Sequence, residues 1–169
     1  MINEITLQNK EFTRIPVQFQ PYPPYPPRRI LVVEDEAEIR RLNAEVLKDS
    51  GYEVDTAEDG MTGWNALHAA RHTPDRHDLL IADYNMPGLT GLELIQRLRA
   101  THVALPVIMA AGTLPMELIR DHWLQPVVTL PKPYSPEQLL GTVEAVLRTS
   151  DGPTGKLVPS FASFFQGSP

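Results

Sequence analysis

Two periodicities alternate along the middle of the chain. Ile30-Leu31-Val32-Val33 is a short, continuous apolar run rich in β-branched residues, the pattern of a strand covered on both faces. From Glu36 to Lys48 the apolar positions Ile39, Leu42, Val46 and Leu47 recur at helical spacing and define one face. Asp49-Ser50-Gly51 ends that helix, with a glycine suited to a left-handed cap. Tyr52 to Ala57 alternates as a strand, and Asp59 to Ala70 predicts a second helix that turns Trp64 and Leu67 inward. Leu79-Leu80-Ile81-Ala82 reads as a third strand. Leu89 to Arg99 follows as a helix with Leu92, Ile95 and Leu98 on one face. Pro106 to Ala110 predicts a fourth strand, Met116 to Trp123 a short fourth helix and Val127 to Leu130 a fifth strand. Ser135-Pro136-Glu137 opens a fifth helix with an N-cap serine, a proline in the first turn and an early acid; Leu139, Leu140, Val143, Val146 and Leu147 supply its apolar face.

Strict strand–helix alternation predicts an α/β fold, a doubly wound five-stranded parallel sheet with helices on both faces. This block spans 29–149. Residues 1–28 form a proline-rich arm: six of the 17 prolines lie there, and Pro21-Tyr22-Pro23-Pro24-Tyr25-Pro26-Pro27 excludes helix and central strand. Proline's fixed φ predicts an extended, polyproline-like rod, preceded by a short strand pattern at Ile15, Val17 and Phe19. Residues 150–169, rich in Gly, Pro and Ser, read as a flexible tail despite Phe161, Phe164 and Phe165.

Composition narrows the function classes. Hydrophobic residues make up 42% of the 169, enough for a sizeable core, and cysteine is absent, which excludes disulfides, thiolate metal sites and cysteine nucleophiles. The net charge of −6 gives no overall pull toward nucleic acid. The longest nearly apolar run, Val103 to Gly112, is about half a membrane span. With no leader pattern at the start, a cytoplasmic protein without membrane attachment is expected.

In a doubly wound sheet, ligands bind beyond the carboxyl ends of the strands. The predicted strands end in Glu34-Asp35-Glu36, in Asp83-Tyr84-Asn85-Met86-Pro87-Gly88, in Ala111-Gly112-Thr113 and in Pro131-Lys132-Pro133. Acids and one lysine therefore converge on one crevice. No glycine-rich phosphate loop follows the first strand. Carboxylates about 5 Å apart repel by roughly 3 kcal/mol at an effective dielectric near 20, so the group calls for a cation or a proton. Oxygen-only ligands favour Mg²⁺ or another hard ion, and one carboxylate is then placed to act as nucleophile toward a phosphoryl donor.

Residues 29–149 resemble the receiver domain of two-component response regulators, of the single-domain chemotaxis-regulator type. The resemblance rests on Ile30-Leu31-Val32-Val33-Glu34-Asp35-Glu36, on Ala82-Asp83-Tyr84-Asn85-Met86-Pro87-Gly88 with Gly91, and on Leu130-Pro131-Lys132-Pro133, in that order. It implies a flavodoxin-like (βα)5 fold with strand order 2-1-3-4-5. By the same resemblance Asp83 is the phosphoacceptor, Asp35 a direct Mg²⁺ ligand, Glu34 an acid that holds the metal through water, and Asn85 the donor of a backbone carbonyl to it. Lys132 would pair with the phosphoryl oxygens, and its bond to Pro133 would be cis. The implied donors are a sensor histidine kinase, a phosphotransfer protein or a small acyl phosphate. The implied output is contact with a downstream protein through the face of the fourth helix, fifth strand and fifth helix, or service as a phosphate shuttle. The protein is then a phosphoacceptor rather than an enzyme, a monomer or weak homodimer, with 19 residues after 150, too few for a DNA-binding module.

Two positions depart from the family pattern. Ala111 stands where a Ser or Thr hydroxyl usually bonds a phosphoryl oxygen, a charge-assisted bond of roughly 1.5–3 kcal/mol. Thr113 lies two residues on, with a different side-chain direction. Thr129 stands where an aromatic ring usually flips on activation. Both departures favour the alternative of a degenerate receiver that binds partners independently of phosphate. A related aspartate-nucleophile phosphatase would need an acid at the place of Asn85. Glu36 reads as serving the positive end of the first helix. His68 and His72, spaced i, i+4, lack a third metal ligand and read as a solvated face; His77, His102 and His122 read as surface. Arg40, Arg41, Arg97 and Arg99 read as solvated, and Trp64 and Trp123 as packing residues.

Overall fold

The computed structural model describes residues 27–113 and 122–150. Its elements, in chain order, are β1 (Arg29–Val33), α1 (Ala37–Asp49), β2 (Glu53–Ala57), α2 (Gly60–Ala70), β3 (Leu79–Asp83), α3 (Gly91–Ala100), β4 (Val107–Ala111), a single 3-10 turn at His122–Leu124, β5 (Val127–Pro131) and α4 (Pro136–Ser150). The five strands form one parallel sheet in the order β2-β1-β3-β4-β5, as the resemblance implies. Residues 1–26 of the arm, 151–169 of the tail and most of the predicted fourth helix lie outside the described residues. Of that helix, His122 and Trp123 fall in the 3-10 turn. No helix among the described residues is long and apolar enough to cross a membrane.

Side-chain alternation splits the core in two. Leu31, Val33, Leu80, Ala82, Val107 and Met109 point to one face, where Leu67, Leu94, Ile95 and Leu98 of α2 and α3 cover them. Ile30, Val32, Leu79, Ile81, Ile108 and Leu130 point to the other, under Leu47 of α1 and Leu139, Val143, Val146 and Leu147 of α4. Because β1, β3 and β4 are buried on both sides, they read as unbroken apolar runs. Local chemistry fixes the helix starts. Asp59 caps α2 by accepting from the Thr62 N–H, and Ser135 and Gln138 exchange hydrogen bonds at the start of α4. A capping box between Thr90 and Glu93 starts α3 two residues later than the apolar pattern predicts.

Five burial assignments need correction. Leu42 is 52% exposed, because α1 turns Asn43, Ala44 and Leu47 toward the sheet rather than the Leu42 side of the stripe. His77 is buried, its Nε2 lying 2.8 Å from Asp55 on β2. Arg40 and Arg99 are only partly exposed, their guanidinium groups turned onto backbone carbonyls. Arg40 reaches the carbonyls of Glu34 and Asp35, and Arg99 donates to the carbonyls of Val103, Leu105, Leu124 and Pro126. Trp123 is 56% exposed and does not pack in the core, whereas Trp64 does pack against it.

Asp55 is the hub of an ion-paired cluster at the amino end of the sheet. It accepts from the Arg29 guanidinium at 2.7 and 3.2 Å, and Asp78 accepts from Arg28 at 3.0 Å. The Arg29 hydrogen bond holds the Asp55 carboxyl below the ordinary carboxylate range, and His77 acts in the same direction, while burial opposes both. A carboxyl depressed by folding stabilises the fold above its unfolded pKa, and that contribution is lost as pH falls through the folded value. The melting midpoint is therefore expected to drop as acidification passes below the ordinary carboxylate range. Asp55→Asn should flatten that limb of the profile; an unchanged slope would refute the assignment.

Candidate functional site

The strand order reverses direction between β1 and β3, and the carboxyl ends of these strands open a crevice. Glu34 follows β1 directly and is buried, and its N–H donates to the Ala57 carbonyl at 3.1 Å. Arg40 pins the same turn by donating to the Glu34 and Asp35 carbonyls at 2.7 and 3.1 Å. Asp35 projects as an exposed side chain, and Glu36 is the N-cap of α1 without a side-chain cap bond. Asp83, the last residue of β3, is buried, and the following Tyr84 N–H donates to the Ala110 carbonyl at 2.8 Å. Gly91, at the start of α3, lies against Asp83; a Cβ there would run into the Asp83 carbonyl oxygen, so only glycine permits this approach.

Lys132 closes the crevice from β5. Its N–H donates to the Ala111 carbonyl at 2.9 Å, and its Nζ donates to Asp83 Oδ1 at 2.8 Å and Glu34 Oε2 at 2.9 Å. The Lys132–Pro133 peptide is cis, and Tyr134 beyond it accepts from Asn43 of α1 at 2.9 Å, tying this turn to α1. Burial lowers the Lys132 pKa, but the hydrogen bonds to Asp83 and Glu34 outweigh it, and the net shift is upward. The ammonium therefore stays charged. Burial pushes the Glu34 carboxyl up, against the opposing pull of Lys132.

Carboxylate oxygens of Glu34, Asp35 and Asp83 lie within 4.8 Å of one another, so these three residues could hold a metal ion. Three carboxylates facing one ammonium leave an excess of about two negative charges when all are ionised. Glu34 Oε1 is buried with no hydrogen-bond partner among the described residues. An orphaned carboxylate oxygen in a buried acidic cluster is costly, and a hard divalent cation satisfies it. Asn85 is exposed two residues beyond Asp83. His68 on α2 and His72, two residues past its end, are exposed and join no such group among the described residues; His72 instead accepts from Arg71.

The response regulator receiver domain family matches residues 30–144. The chain belongs to that family. Among curated proteins, this receiver is 33% identical over 136 residues to the alkaline phosphatase synthesis transcriptional regulatory protein SphR of Synechococcus elongatus, covering 74% of this chain and 51% of that protein. It is 33% identical over 125 residues to the transcriptional regulatory protein TctD of Salmonella typhimurium, with 73% and 54% covered. The chain thus spans about half the length of the curated relatives it matches. Among solved structures it resembles the Vibrio cholerae chemotaxis protein CheY4, at 34% identity and a TM-score of 0.62, covering 71% of this chain and 98% of that one. It also resembles the response regulator TrrA of Thermotoga maritima, solved in complex with Mg(2+)-BeF, at 30% identity and a TM-score of 0.61, covering 70% and 98%.

Within this receiver, Ala111 is buried at the end of β4 and contributes a carbonyl to Lys132 but no hydroxyl to the crevice. Thr113 is exposed. Thr129 is partly buried in the middle of β5, in register with Met109. Sequence reasoning missed Arg40, Asn43 and Tyr134 as supports of the site. Only the arginine near two acidic residues gave any local signal.

Proposed function

We propose that the receiver accepts a phosphoryl group on Asp83 from a sensor histidine kinase or phosphotransfer protein, in a Mg²⁺-dependent step. The observation that supports this best is the single ammonium of Lys132 bridging Asp83 and Glu34 beside the orphaned Glu34 Oε1. An Asp83 carboxylate oxygen attacks phosphorus in line; the new P–O bond forms as the donor's P–N bond breaks, and the leaving imidazole keeps the electron pair. Lys132 then follows the charge onto the phosphoryl oxygens. Asp35, Asp83 and the Asn85 carbonyl would hold Mg²⁺, with Glu34 reaching it through water, and the ion would supply charge neutralisation at the attacking and transferred oxygens. Glu34 carries one methylene more than the aspartate common at this place, which a bridging water absorbs. The complex named for the Thermotoga relative is consistent with the same metal here.

On this reading, residues 29–149 are the receiver, 1–28 an arm and 150–169 a tail of a cytoplasmic signalling protein. Output passes by protein contact through the face of β5 and α4, which the predicted fourth helix would complete, or the protein acts as a phosphate shuttle. Exposed Leu42, with Ile39 and Val46, lines an apolar groove that reaches Lys132 and offers a protein donor a surface beside the acceptor. The test is incubation with Mg²⁺ and acetyl phosphate, followed by intact-mass measurement. A single phosphoryl adduct, lost on treatment with hydroxylamine, is expected; no adduct with metal present would refute the reading.

Ala111 and Thr129 support a second reading, in which partner binding is independent of phosphate. With neither a hydroxyl on β4 nor a ring on β5, the usual coupling lacks two parts. Beryllofluoride with Mg²⁺ is therefore expected to move amide resonances at Glu34, Asp83 and Lys132 but to leave most of 112–131 in place. A concerted change across 112–131 would restore the switching receiver.

A further inference from the structure

A second concave site lies at the opposite end of the sheet from the acidic crevice. It is a groove of about 530 Å³ between the carboxyl ends of α2 and α3. Leu67, Leu98 and Leu105 give it an apolar floor, and Trp64 and His68, with ring centroids 5.7 Å apart, give it an aromatic wall. Asp78 stands on its rim. Trp64 is only partly buried, so the groove leaves a large aromatic face uncovered.

The chain enters the fold at that rim. Asp78 accepts from the Arg28 guanidinium at 3.0 Å and from the Arg29 N–H at 3.0 Å, and its own N–H donates to the Arg29 carbonyl at 2.7 Å. Whatever precedes residue 28 therefore starts beside the groove. What precedes it is Pro21-Tyr22-Pro23-Pro24-Tyr25-Pro26-Pro27, of which residues 21–26 end the segment outside the described residues. Five fixed φ angles in seven residues favour a polyproline II rod, which turns once every three residues and rises about 3.1 Å per residue. Tyr22 and Tyr25, three apart, then share one edge of the rod at about 9 Å separation, and Tyr25 sits about 9 Å from Arg28. Such rods dock in grooves walled by aromatic side chains, because they lose little entropy on binding.

We propose that residues 21–26 seat in this groove, with the two tyrosines against Trp64 and the leucine floor, so that the arm straps the base of its own receiver. The other two edges of the rod, Pro23 with Pro26 and Pro21 with Pro24 and Pro27, face outward and along the rim. The seat is independent of the acceptor chemistry and is read without phosphate.

The chain has no cysteine, so an engineered pair reports without background. In the full chain, Pro23→Cys paired with Ala104→Cys places one thiol on the rod and one on the exposed groove edge. The control pair is Pro23→Cys with Glu144→Cys. Glu144 faces Tyr52 on the opposite side of the sheet, and the Glu53 N–H next to Tyr52 donates to the Arg28 carbonyl, so the control is also within the arm's reach. With a short bismaleimide, the groove pair should cross-link within one chain at least tenfold faster than the control. Equal rates, or cross-links that form between copies, overturn the proposal. A second readout uses Trp123→Phe to leave Trp64 as the sole tryptophan. Tyr22→Ala with Tyr25→Ala should shift its emission to longer wavelength while far-UV dichroism stays unchanged. An unmoved spectrum overturns the seat even if cross-linking succeeds.

Discussion

Asp83→Asn is expected to take up no phosphoryl group under conditions that label the wild type to completion. The amide matches the carboxylate in shape, so packing at the end of β3 is kept, and Lys132 retains Glu34 as a partner at 2.9 Å. What is lost is the anionic nucleophile. A neutral amide oxygen does not displace an imidazole from phosphorus at a useful rate, and the metal group falls from three carboxylates to two. Neighbouring substitutions should behave differently. Lys132→Ala removes charge stabilisation but leaves the nucleophile, so labelling should slow by about 10²–10³-fold rather than vanish. Asp35→Asn, at an exposed position, should weaken the metal requirement's half-saturation without disturbing the fold. Intact-mass time courses on the three variants separate these outcomes. An adduct that survives Asp83→Asn at the wild-type rate would move the acceptor elsewhere and remove the basis of the proposed function.

The gathering of charged side chains at this site was legible because they sit where short apolar runs stop. Glu34, Asp83 and Lys132 each follow a strand that announces itself by composition, and the rule that ligands gather at those ends brings them together without any contact being known. The supports were not legible, because their partners are remote. Asn43 finds Tyr134 across 91 residues, and His77, in the connection before β3, is buried beside Asp55 of β2. Leu42 belongs to an amphipathic stripe by spacing, yet α1 is rolled so that Asn43 and Ala44 face the sheet instead. A helical pattern defines a face to within about a residue, and the tertiary contact decides which edge of that face is covered. The start of α3 shows the opposite case. Thr90 and Glu93 form a capping box readable from their spacing alone, and it overrides Leu89, which is buried as part of the loop. Ala111 and Thr129 carry no signal in isolation and gain meaning only against the family pattern.

Arg99→Met is expected to cost about 3–5 kcal/mol of stability, far more than a helix-surface arginine usually does. The guanidinium donates from Nε to the Leu124 carbonyl at 2.9 Å, from Nη1 to Val103 at 2.8 Å, and from Nη2 to Leu105 and Pro126 at 2.9 and 3.0 Å. These carbonyls belong to the two connections that flank β4, so one side chain from α3 holds both loops. Burial lowers the Arg99 pKa to about 10, and the group remains charged at neutral pH with its donors engaged. Methionine preserves much of the stem volume and removes every donor, leaving partly buried carbonyls to find water or go without. Lysine should recover less than half of the loss, since one ammonium cannot span four acceptors in a planar fork. With a urea dependence of about 2 kcal/mol per molar, the midpoint for Arg99→Met should fall by about 2 M. The Val107 N–H donates to the Pro126 carbonyl at 3.2 Å, so the clamp also sets β5 against β4 at the end away from Lys132. Phosphoryl uptake by the folded variant should consequently stay within about twofold of wild type, because the hydrogen bonds lost lie a full strand length from Asp83. A midpoint within about 0.3 M of wild type would show that the loops hold themselves and that the four contacts are incidental.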